Sequence, residues 1–314
     1  MTDNRIQGVL APVVTPFDRT LCPDAERLVC QCRWLLCNNV GLALFGTNSE
    51  GNSLSVAEKV DLLETLVEAA IPAERMMPGT GCCALPDSVE LTRQAVRLGC
   101  GGVLMLPPFY YKGVTEEGLF RSYAEIIERV GDSRLRIYLY HIPPIARISI
   151  SPNLIERLLK SYPGTVVGIK DSSGDWENTR AMLETFQSQD FDVFVGSETF
   201  LLATRRAGGA GCISATANVN PGAIAALAAA WRAPDADAHQ AALTALRQIF
   251  QRYPMIPALK AAISVHCGHP GWATVRPPLQ PLDQDQRRSL MAELGAIGFS
   301  MPGMDGTTPS DVLG

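Results

Sequence analysis

The sequence predicts an α/β fold, a single (β/α)8 TIM barrel with a small helical appendage at its C-terminal end. Short apolar runs rich in β-branched residues alternate with longer segments of helical periodicity. These runs recur about every 25 to 35 residues, which is the length of a βα unit. They are apolar throughout, as parallel strands covered on both faces are. Eight such units favour closure into a barrel over an open sheet.

Each predicted element follows from this alternation. The predicted strands are Gly8–Val14, Val40–Phe45, Met76–Gly79, Gly101–Leu106, Leu135–Tyr140, Thr165–Lys170, Phe191–Val195 and Ala210–Ser214. The predicted helices between them are Pro23–Cys37, Ser55–Ala70, Pro86–Leu98, Thr115–Val130, Ser151–Ser161, Asp175–Ser188 and Glu198–Ala207. Ser55 with Glu58 three residues later predicts a capping box at one helix start. Gly131 follows another helix pattern, as glycines commonly do.

The pattern changes after the eighth run, where helical segments follow one another without a strand. They are Pro221–Trp231, Ala236–Tyr253, Ile256–His266 and Asp283–Gly295. We therefore predict that residues 1–222 carry the barrel strands and helices, and that residues 223–300 form the last barrel helix and the appendage. Residues 301–314, rich in Gly, Pro, Ser and Thr, are predicted to be a flexible tail.

Composition and charge exclude several classes of function. The net charge is -5 and the basic residues are scattered, so no surface for nucleic acid or an anionic membrane is predicted. The N-terminal segment lacks the parts of a secretory signal, and no apolar run is long enough for a membrane span. The nine cysteines stand at irregular spacings that suit neither a zinc site nor a disulfide scaffold. We expect reduced thiols, no metal and a cytoplasmic location, with Cys82 and Cys83 either lining the pocket or simply packing.

One charged residue stands out at the predicted C-terminal strand ends, where barrel enzymes carry their catalytic residues. Lys170 closes a strand whose preceding residues, 166–169, are wholly apolar. Burial there favours the neutral amine, which can attack a carbonyl and form a Schiff base. The same position also suits a structural lysine paired with Asp171 or another carboxylate at the barrel rim.

Two further features lie at neighbouring strand ends. Tyr140 ends the preceding strand, where its phenol could move protons or simply plug the barrel mouth. Residues 46–50, GTNSE, form a small polar turn in which successive N–H groups could bind a carboxylate, although an ordinary β-turn would look similar. Motifs for phosphate-loop nucleotide binding, zinc proteases and α/β-hydrolases are absent from the sequence.

With these residues in place, the chain resembles the dihydrodipicolinate synthase and N-acetylneuraminate lyase family of class I aldolases. The resemblance extends from about Ile6 to about Gly298. It rests on GVLAPVVTPF, GTNSE, PGTG, PPFYY, YHIP, GIKDSSGD and VGSE, each at the expected strand.

The resemblance implies specific roles. Lys170 would capture pyruvate as a Schiff base, and Tyr140 would transfer protons beside the imine. Thr47 would complete a proton relay with a tyrosine from a neighbouring subunit, for which Tyr111 is the counterpart. The N–H groups of Thr47 and Asn48 would bind the pyruvate carboxylate. The predicted substrate-binding set also includes Gly196, Glu198, Ile213 and Arg147. No metal or organic cofactor is implied, and the expected assembly is a homotetramer, a dimer of dimers.

Departures from the family pattern concern the second substrate. An arginine that grips the aldehyde carboxylate in the synthases is replaced here by Ile145, and Arg147 lies two residues further on. The turn reads GTNSE where the synthases usually have GTTGE. Sialic acid lyases carry an acidic pair where this chain keeps only Glu198, and a serine of theirs is replaced by Ala215. The resemblance therefore implies a second substrate different from both familiar ones.

The leading hypothesis is a Schiff-base aldolase or dehydratase acting on a 2-oxo acid, such as a 2-keto-3-deoxy sugar acid or a 4-hydroxy-2-oxo acid. A second hypothesis keeps the Schiff base but condenses pyruvate with an amino aldehyde, or removes ammonia from a cyclic imino acid. Contact of Arg147 with a dicarboxylate would favour it. A third hypothesis, from a different class, is a barrel that binds a 2-oxo acid without turnover.

Overall fold

The core of the fold is a curled parallel sheet that contains seven strands within the described residues, 5–304. The structure is a computed structural model. The strands are β1 (Gly8–Ala11), β2 (Gly41–Leu42), β3 (Val103–Met105), β4 (Ile137–His141), β5 (Val166–Asp171), β6 (Asp192–Val195) and β7 (Gly211–Ile213). They lie in the order β2-β1-β7-β6-β5-β4-β3, and all neighbours are parallel.

The third predicted strand, residues 76–79, is present as isolated bridges rather than as a strand. This segment pairs in parallel with Leu42 of β2 on one side and with Leu104 of β3 on the other. Pro78 has no N–H to donate, which limits the ladder that the segment can form. Its carbonyl nevertheless accepts from the amide of Leu104 at 2.9 Å. Because the segment connects the two edge strands, the arrangement is consistent with a (β/α)8 barrel.

A β-bulge in β5 decides which of its side chains face the barrel interior. Ile137 pairs with Val166, but the next pair is Tyr138 with Gly168, so Val167 is an extra residue in β5. An inserted residue reverses the alternation of faces beyond it. Val166 packs in the outer core, whereas Val167 packs in the inner one. The bulge therefore brings Lys170 opposite Tyr140.

Twelve helices are present within residues 5–304, and most begin and end close to the predicted positions. They are α1 (Ala25–Cys37), α2 (Val56–Glu68), α3 (Leu85–Arg97), α4 (Glu116–Val130), α5 (Pro143–Ala146), α6 (Pro152–Ser161), α7 (Trp176–Phe186), α8 (Leu201–Arg206), α9 (Pro221–Ala229), α10 (Ala236–Gln251), α11 (Met255–His266) and α12 (Gln284–Ala296). The predicted capping box is present, with Ser55 and Glu58 bonded reciprocally. Gly131 ends α4 at φ 64°, in the left-handed region.

Two helices differ from the prediction. The short α5 was not predicted, because its two prolines suggest a turn as readily as a first helical turn. The predicted helix from Glu198 begins with a 3-10 turn, Glu198–Phe200, before α8. Both elements follow directly after strand ends, where local contacts override helical periodicity.

Large aromatic side chains fill the barrel interior below the strand ends. The Tyr138 ring is fully buried and meets Phe194 edge to face, with ring centroids 5.7 Å apart. Gly168 and Gly102 leave room for this ring, because a Cβ at either position would lie within 2.7 Å of it. The interior is therefore a packed core rather than an open pore, and any substrate must bind above it.

The C-terminal helices α10, α11 and α12 pack with α9 and α1 into one apolar cluster. Part of the tail predicted at 301–314 packs as well, since Trp34 donates to the carbonyl of Pro302 at 3.0 Å and Met301 is buried. The remainder of that tail, residues 305–314, lies outside the described residues. No helix between residues 5 and 304 has both the length and the apolar character needed to cross a membrane.

Candidate active site

The centre of the candidate site is a chain of three side chains at the C-terminal ends of the strands. The Lys170 amine donates to the Tyr140 hydroxyl at 3.2 Å, and that hydroxyl lies 3.2 Å from Thr47 Oγ1. Lys170 Nζ is 4.2 Å from the centre of the Tyr140 ring. Lys170 and Tyr140 are each 2 % exposed, so the amine and phenol meet in a nearly dry environment.

The alternative pairing of Lys170 with Asp171 is not what the structure contains. Asp171 is the next residue of the strand, so its side chain points to the opposite face. There its carboxylate accepts from Thr179 Oγ1 at 2.6 Å and from Asn178 Nδ2 at 3.0 Å, both on α7. Among residues 5–304, no salt bridge to a carboxylate involves Lys170.

His141 stands behind the central chain, next to Tyr140 and opposite Asp171 in the sheet. It is buried, and its Nδ1 accepts the amide N–H of Ile150 at 3.0 Å. Burial lowers the pKa of His141 below its usual value, against the opposing attraction of Asp171. An accepting Nδ1 requires a neutral ring. His141 therefore anchors the loop after β4 and lies on the other face from the amine.

Thr47 is positioned by a tight 3-10 turn, Thr47–Ser49. The amides of Ser49 and Gly51 both donate to the Gly46 carbonyl at 3.1 Å. The amides of Thr47 and the half-buried Asn48 begin the turn and have no acceptor within it. Within the turn, these two N–H groups are left without an acceptor, and their binding of an anion stays a prediction.

The turn is fixed to the rest of the barrel by contacts that the sequence did not reveal. The Thr15 hydroxyl donates to the Ser49 carbonyl at 2.7 Å. Gly51 and Gly79 both approach the carbonyl of Phe45, and a Cβ would lie 2.0 Å from it at Gly51 and 2.6 Å at Gly79. Only glycine permits these two close backbone approaches.

A buried ion pair holds the end of the same turn. Glu50 adopts the left-handed region at φ 55° and forms an ion pair with Lys260 of α11, both side chains being fully buried. Lys260 also donates to the Thr274 carbonyl at 2.8 Å, and Glu50 accepts the amide N–H of Arg276 at 2.9 Å. Burial lowers the pKa of Lys260 to about 8, since the attraction of Glu50 offsets only part of the desolvation. The C-terminal helices thus support the turn that carries Thr47.

Glu198, predicted to bind substrate, is enclosed by the protein itself. Its side chain is 1 % exposed. The carboxylate accepts the hydroxyl groups of Ser214 and Thr216 and forms an ion pair with Arg247 of α10 at 3.3 Å. No sequence signal predicted the part of Arg247, which lies 49 residues further along the chain.

Two other predicted substrate-binding residues, Gly196 and Ile213, lie at the ends of β6 and β7. The Gly196 amide donates to the Asp171 carbonyl at 2.7 Å, and a Cβ at this position would lie 2.1 Å from Ser172 Oγ. Ile213 is buried in the inner cluster that also contains Tyr140. Both positions therefore border the end of the barrel where Lys170 and Tyr140 meet.

Tyr111 and Arg147 are exposed and lie outside the central chain. Tyr111 is 73 % exposed and meets the ring of Tyr110 edge to face, with centroids 5.3 Å apart. Arg147 has φ 57° and lines a cleft of about 310 Å³. The other walls of that cleft include Leu119 of α4 and Leu154 of α6, which cover the outside of the sheet.

The cysteines do not form a ligand cluster. All nine are free thiols; Cys82 is half-buried and Cys83 is exposed. The Cys82 amide donates to Ser88 Oγ at 2.8 Å at the start of α3. Within the described part of the chain, no group of three His, Cys, Asp or Glu side chains is placed to hold a metal ion.

Comparison with known proteins decides the family. The family model for the dihydrodipicolinate synthetase family matches residues 5–297. The chain belongs to this family. The resemblance seen in the sequence motifs is therefore confirmed, and the chain is an enzyme of the lyase class.

Individual relatives of this family member match over nearly their whole length. An uncharacterized DapA-like lyase of Chloroflexus aurantiacus is 33% identical over 306 residues, which cover 96% of this chain and 99% of the relative. The crystal structure of dihydrodipicolinate synthase from Agrobacterium tumefaciens is 29% identical, with a TM-score of 0.85 and coverage of 92% and 99%. YagE, a prophage protein of the same family from E. coli K12 solved in complex with pyruvate, is 28% identical, with a TM-score of 0.84 and coverage of 93% and 99%.

Proposed function

We propose that this family member is a class I aldolase or dehydratase that forms a Schiff base between Lys170 and a small 2-oxo acid. One observation carries the proposal: the buried Lys170 amine is hydrogen-bonded to a phenol that is in turn within hydrogen-bond reach of Thr47. An amine in dry surroundings is a nucleophile when it is neutral, and the hydroxyl pair offers a path for protons. The pyruvate complex of YagE supports a 2-oxo acid as the ligand.

The proposed reaction starts with attack of the Lys170 amine on the ketone carbon. Loss of water from the carbinolamine gives an iminium, and Tyr140 donates the proton that leaves with the oxygen. The N–H groups of Thr47 and Asn48 bind the substrate carboxylate, which holds the ketone beside the amine. The iminium then accepts the electron pair of the bond that breaks, and Tyr140 with Thr47 moves the accompanying proton.

A substrate such as a 2-keto-3-deoxy sugar acid or a 4-hydroxy-2-oxo acid suits this chemistry. The second candidate, condensation of pyruvate with an amino aldehyde, is supported by the likeness to the Agrobacterium synthase. It is weakened by the position of Arg147, which lines an outer cleft rather than the strand ends. Binding without turnover would not require the hydrogen-bonded chain of Lys170, Tyr140 and Thr47.

Borohydride trapping tests the covalent step directly. The protein is incubated with pyruvate and sodium borohydride, and the modified peptide is located by mass spectrometry. The expected result is a reduced pyruvate adduct on Lys170. Lys170→Ala should give no adduct and no turnover while it keeps the fold. Reversible binding of pyruvate without an adduct, in folded wild-type protein, would refute the proposal.

We also propose a homotetramer, in which Tyr111 of one subunit completes the relay of another. The exposure of Tyr111 supports this, because the tyrosine is free to reach a partner. Sedimentation measurements of the mass, together with the activity of Tyr111→Phe, test it. The division into a barrel at 1–222, a last barrel helix with appendage at 223–300 and a tail, and the cytoplasmic location, remain part of the proposal.

A further inference from the structure

Few charged side chains stand where a second substrate would meet Lys170. In the five-residue segments that directly follow each of the seven strands and residues 76–79, the charged residues are Asp175 and Glu198. Asp175 is the N-cap of α7, and its carboxylate accepts the amide N–H of Glu177 at 3.0 Å. Its charge is therefore directed to a helix start, where it complements the helix dipole.

The charge of Glu198 is compensated on all sides. Ser214, Thr216 and Arg247 bind its carboxylate, and the side chain is almost fully buried. These three partners and the burial direct the carboxylate toward the protein rather than toward a sugar hydroxyl or an ammonium group. The nearby hydroxyl groups of Ser197 and Thr199 lie 2.9 Å apart and bond each other.

Two cations lie further along these loops, and the contacts of both are with groups other than Lys170. The Lys112 ammonium donates to the backbone carbonyls of Phe109 and Ala146, at 3.0 Å for the latter, and so ties two loops together. Arg147 lines the outer cleft between α4 and α6. A carboxylate on the second substrate would therefore meet no cation from these two residues.

Apolar side chains border the site on the side of β3 and β4. Leu106 and Phe109 are half-buried and pack against the inner cluster that includes Tyr140 and Ile142. Ile145 follows on α5 and is 61 % exposed. The exposed isoleucine and the half-buried phenylalanine lie on two loops that Lys112 joins, and both offer apolar surface to a ligand.

From these contacts we infer that the aldehyde fragment released from, or added to, pyruvate is uncharged and apolar, with an aromatic or branched aliphatic side chain. The inference rests on the proposed Schiff-base function and selects, within it, a 4-hydroxy-2-oxo acid whose carbon 4 carries that side chain. A charged group would lose its hydration here without gaining a partner, which is costly. An apolar group gains by leaving water.

The cleavage step balances with the groups present and water. The bond between carbons 3 and 4 of the iminium breaks, and its electron pair forms the enamine. The proton of the carbon-4 hydroxyl passes to Tyr140, and the apolar aldehyde leaves. Protonation of the enamine at carbon 3 restores the iminium, and water hydrolyses it to pyruvate and the free Lys170 amine. The addition reaction is the reverse.

A matched pair of aldehydes tests the inference. The full chain is assayed for addition of pyruvate to benzaldehyde and to 4-carboxybenzaldehyde, which differ only by a carboxylate, with glyceraldehyde as the polyol. We expect kcat/KM for benzaldehyde to exceed both others at least about tenfold, because an unpaired charge in an apolar site is strongly disfavoured. Ile145→Arg should reduce the ratio between the two aromatic aldehydes by raising kcat/KM for the carboxylate. Ile297→Arg places the same cation at an exposed position after α12 and should leave the ratio unchanged.

The outcomes separate the inference from the function beneath it. Three results overturn the inference but leave the Schiff-base proposal intact, provided that a pyruvate adduct forms on Lys170. They are preference for 4-carboxybenzaldehyde, preference for glyceraldehyde, and no turnover of benzaldehyde. Failure of the adduct to form overturns both. If Ile145→Arg and Ile297→Arg change the ratio of kcat/KM between the two aromatic aldehydes equally, position 145 does not contact the aldehyde. That result would also count against the inference.

Discussion

Replacing Lys260 with methionine should both destabilise the protein and impair the candidate site, although Lys260 does not belong to the site itself. Methionine preserves the length and packing of the side chain but removes the charge. The change leaves the Glu50 carboxylate fully buried with one of its partners missing, and frees the Thr274 carbonyl. The amide of Arg276 would still donate to Glu50.

The expected loss follows from the burial of both partners. Removing one member of a buried ion pair costs about 3 to 5 kcal/mol, because the remaining charge stays desolvated. With an unfolding entropy of about 2.1 cal/mol/K per residue, a loss of 1 kcal/mol lowers Tm of this 314-residue chain by roughly 1.5 °C, so Tm should fall by about 5 to 8 °C. The pair itself adds little net stability, since burial already lowers the pKa of Lys260 to about 8 despite the attraction of Glu50. Neutralising both members should therefore cost less than neutralising one.

Urea denaturation and steady-state kinetics measure the two effects. Lys160→Met, at the exposed last turn of α6, is the matched control and should stay within about 0.5 kcal/mol of the wild type. The double variant Lys260→Met with Glu50→Gln should recover about 1 to 3 kcal/mol, since no charge is left buried. In the single variant both kcat and the affinity for pyruvate should fall, because displacement of the turn moves Thr47 from Tyr140 and also moves the N–H groups proposed to bind the carboxylate.

Two results would refute this reasoning. A loss below about 1 kcal/mol for Lys260→Met, with an unchanged denaturant slope, would mean that water or another group solvates Glu50. A double variant as unstable as the sum of the two single variants would mean that the two side chains act independently. Unchanged kcat in a clearly destabilised single variant would separate the ion pair from the positioning of Thr47.

Three further predictions use the same structure. Tyr140→Phe should lower kcat by about 10²- to 10⁴-fold, with a small change in Tm and a pyruvate adduct that still forms. A kcat within about threefold of the wild-type value would contradict the role of Tyr140 in proton transfer. Gly168→Ala should cost about 1 to 3 kcal/mol in urea titrations, because the new Cβ would lie 2.6 Å from the Tyr138 ring, whereas Gly295→Ala meets nothing within 4 Å and should not destabilise. The pKa of His141 is lowered in the folded protein, so below the ordinary value of about 6.5 the unfolded chain binds more protons than the folded one. The free energy of unfolding should therefore fall as the pH drops from that value, by at most about 1.4 kcal/mol per pH unit. His141→Asn should flatten this slope, and an unchanged slope would assign the pH dependence to other groups.

The sequence was sufficient for the order of most elements and for the placement of Lys170 and Tyr140 at neighbouring strand ends. Helix limits followed from local signals, such as the Ser55 capping box and the left-handed Gly131. Lys170 and Tyr140 were predicted to lie close together because each ends one of two consecutive strands, and parallel strands end at the same edge. Such inferences need only short-range patterns and one rule of topology.

Contacts between distant parts of the chain could not be predicted in this way. Glu50 and Lys260 are separated by 210 residues, and neither has a neighbour in sequence that signals an ion pair. The enclosure of Glu198 by Arg247 depends on a side chain of α10 reaching the end of a strand. The strand limits were also too long, because Pro78 and the short β2 limit regular pairing in ways that hydrophobicity does not report.

The bulge at Val167 is a local irregularity with a consequence for the whole site, since it decides whether Lys170 faces the barrel interior. In an unbroken strand paired from Val166 onward, position 170 would share the outward face of Val166, and the lysine would lie among the helices. One extra residue turns it inward, opposite Tyr140, and at the same time turns Asp171 outward to α7. Because Asp171 is the next residue of the strand, the two side chains lie on opposite faces in either register, and the bulge decides which of them enters the barrel. The amine that the proposed reaction requires therefore depends on a single-residue irregularity in the backbone as much as on the identity of the side chain.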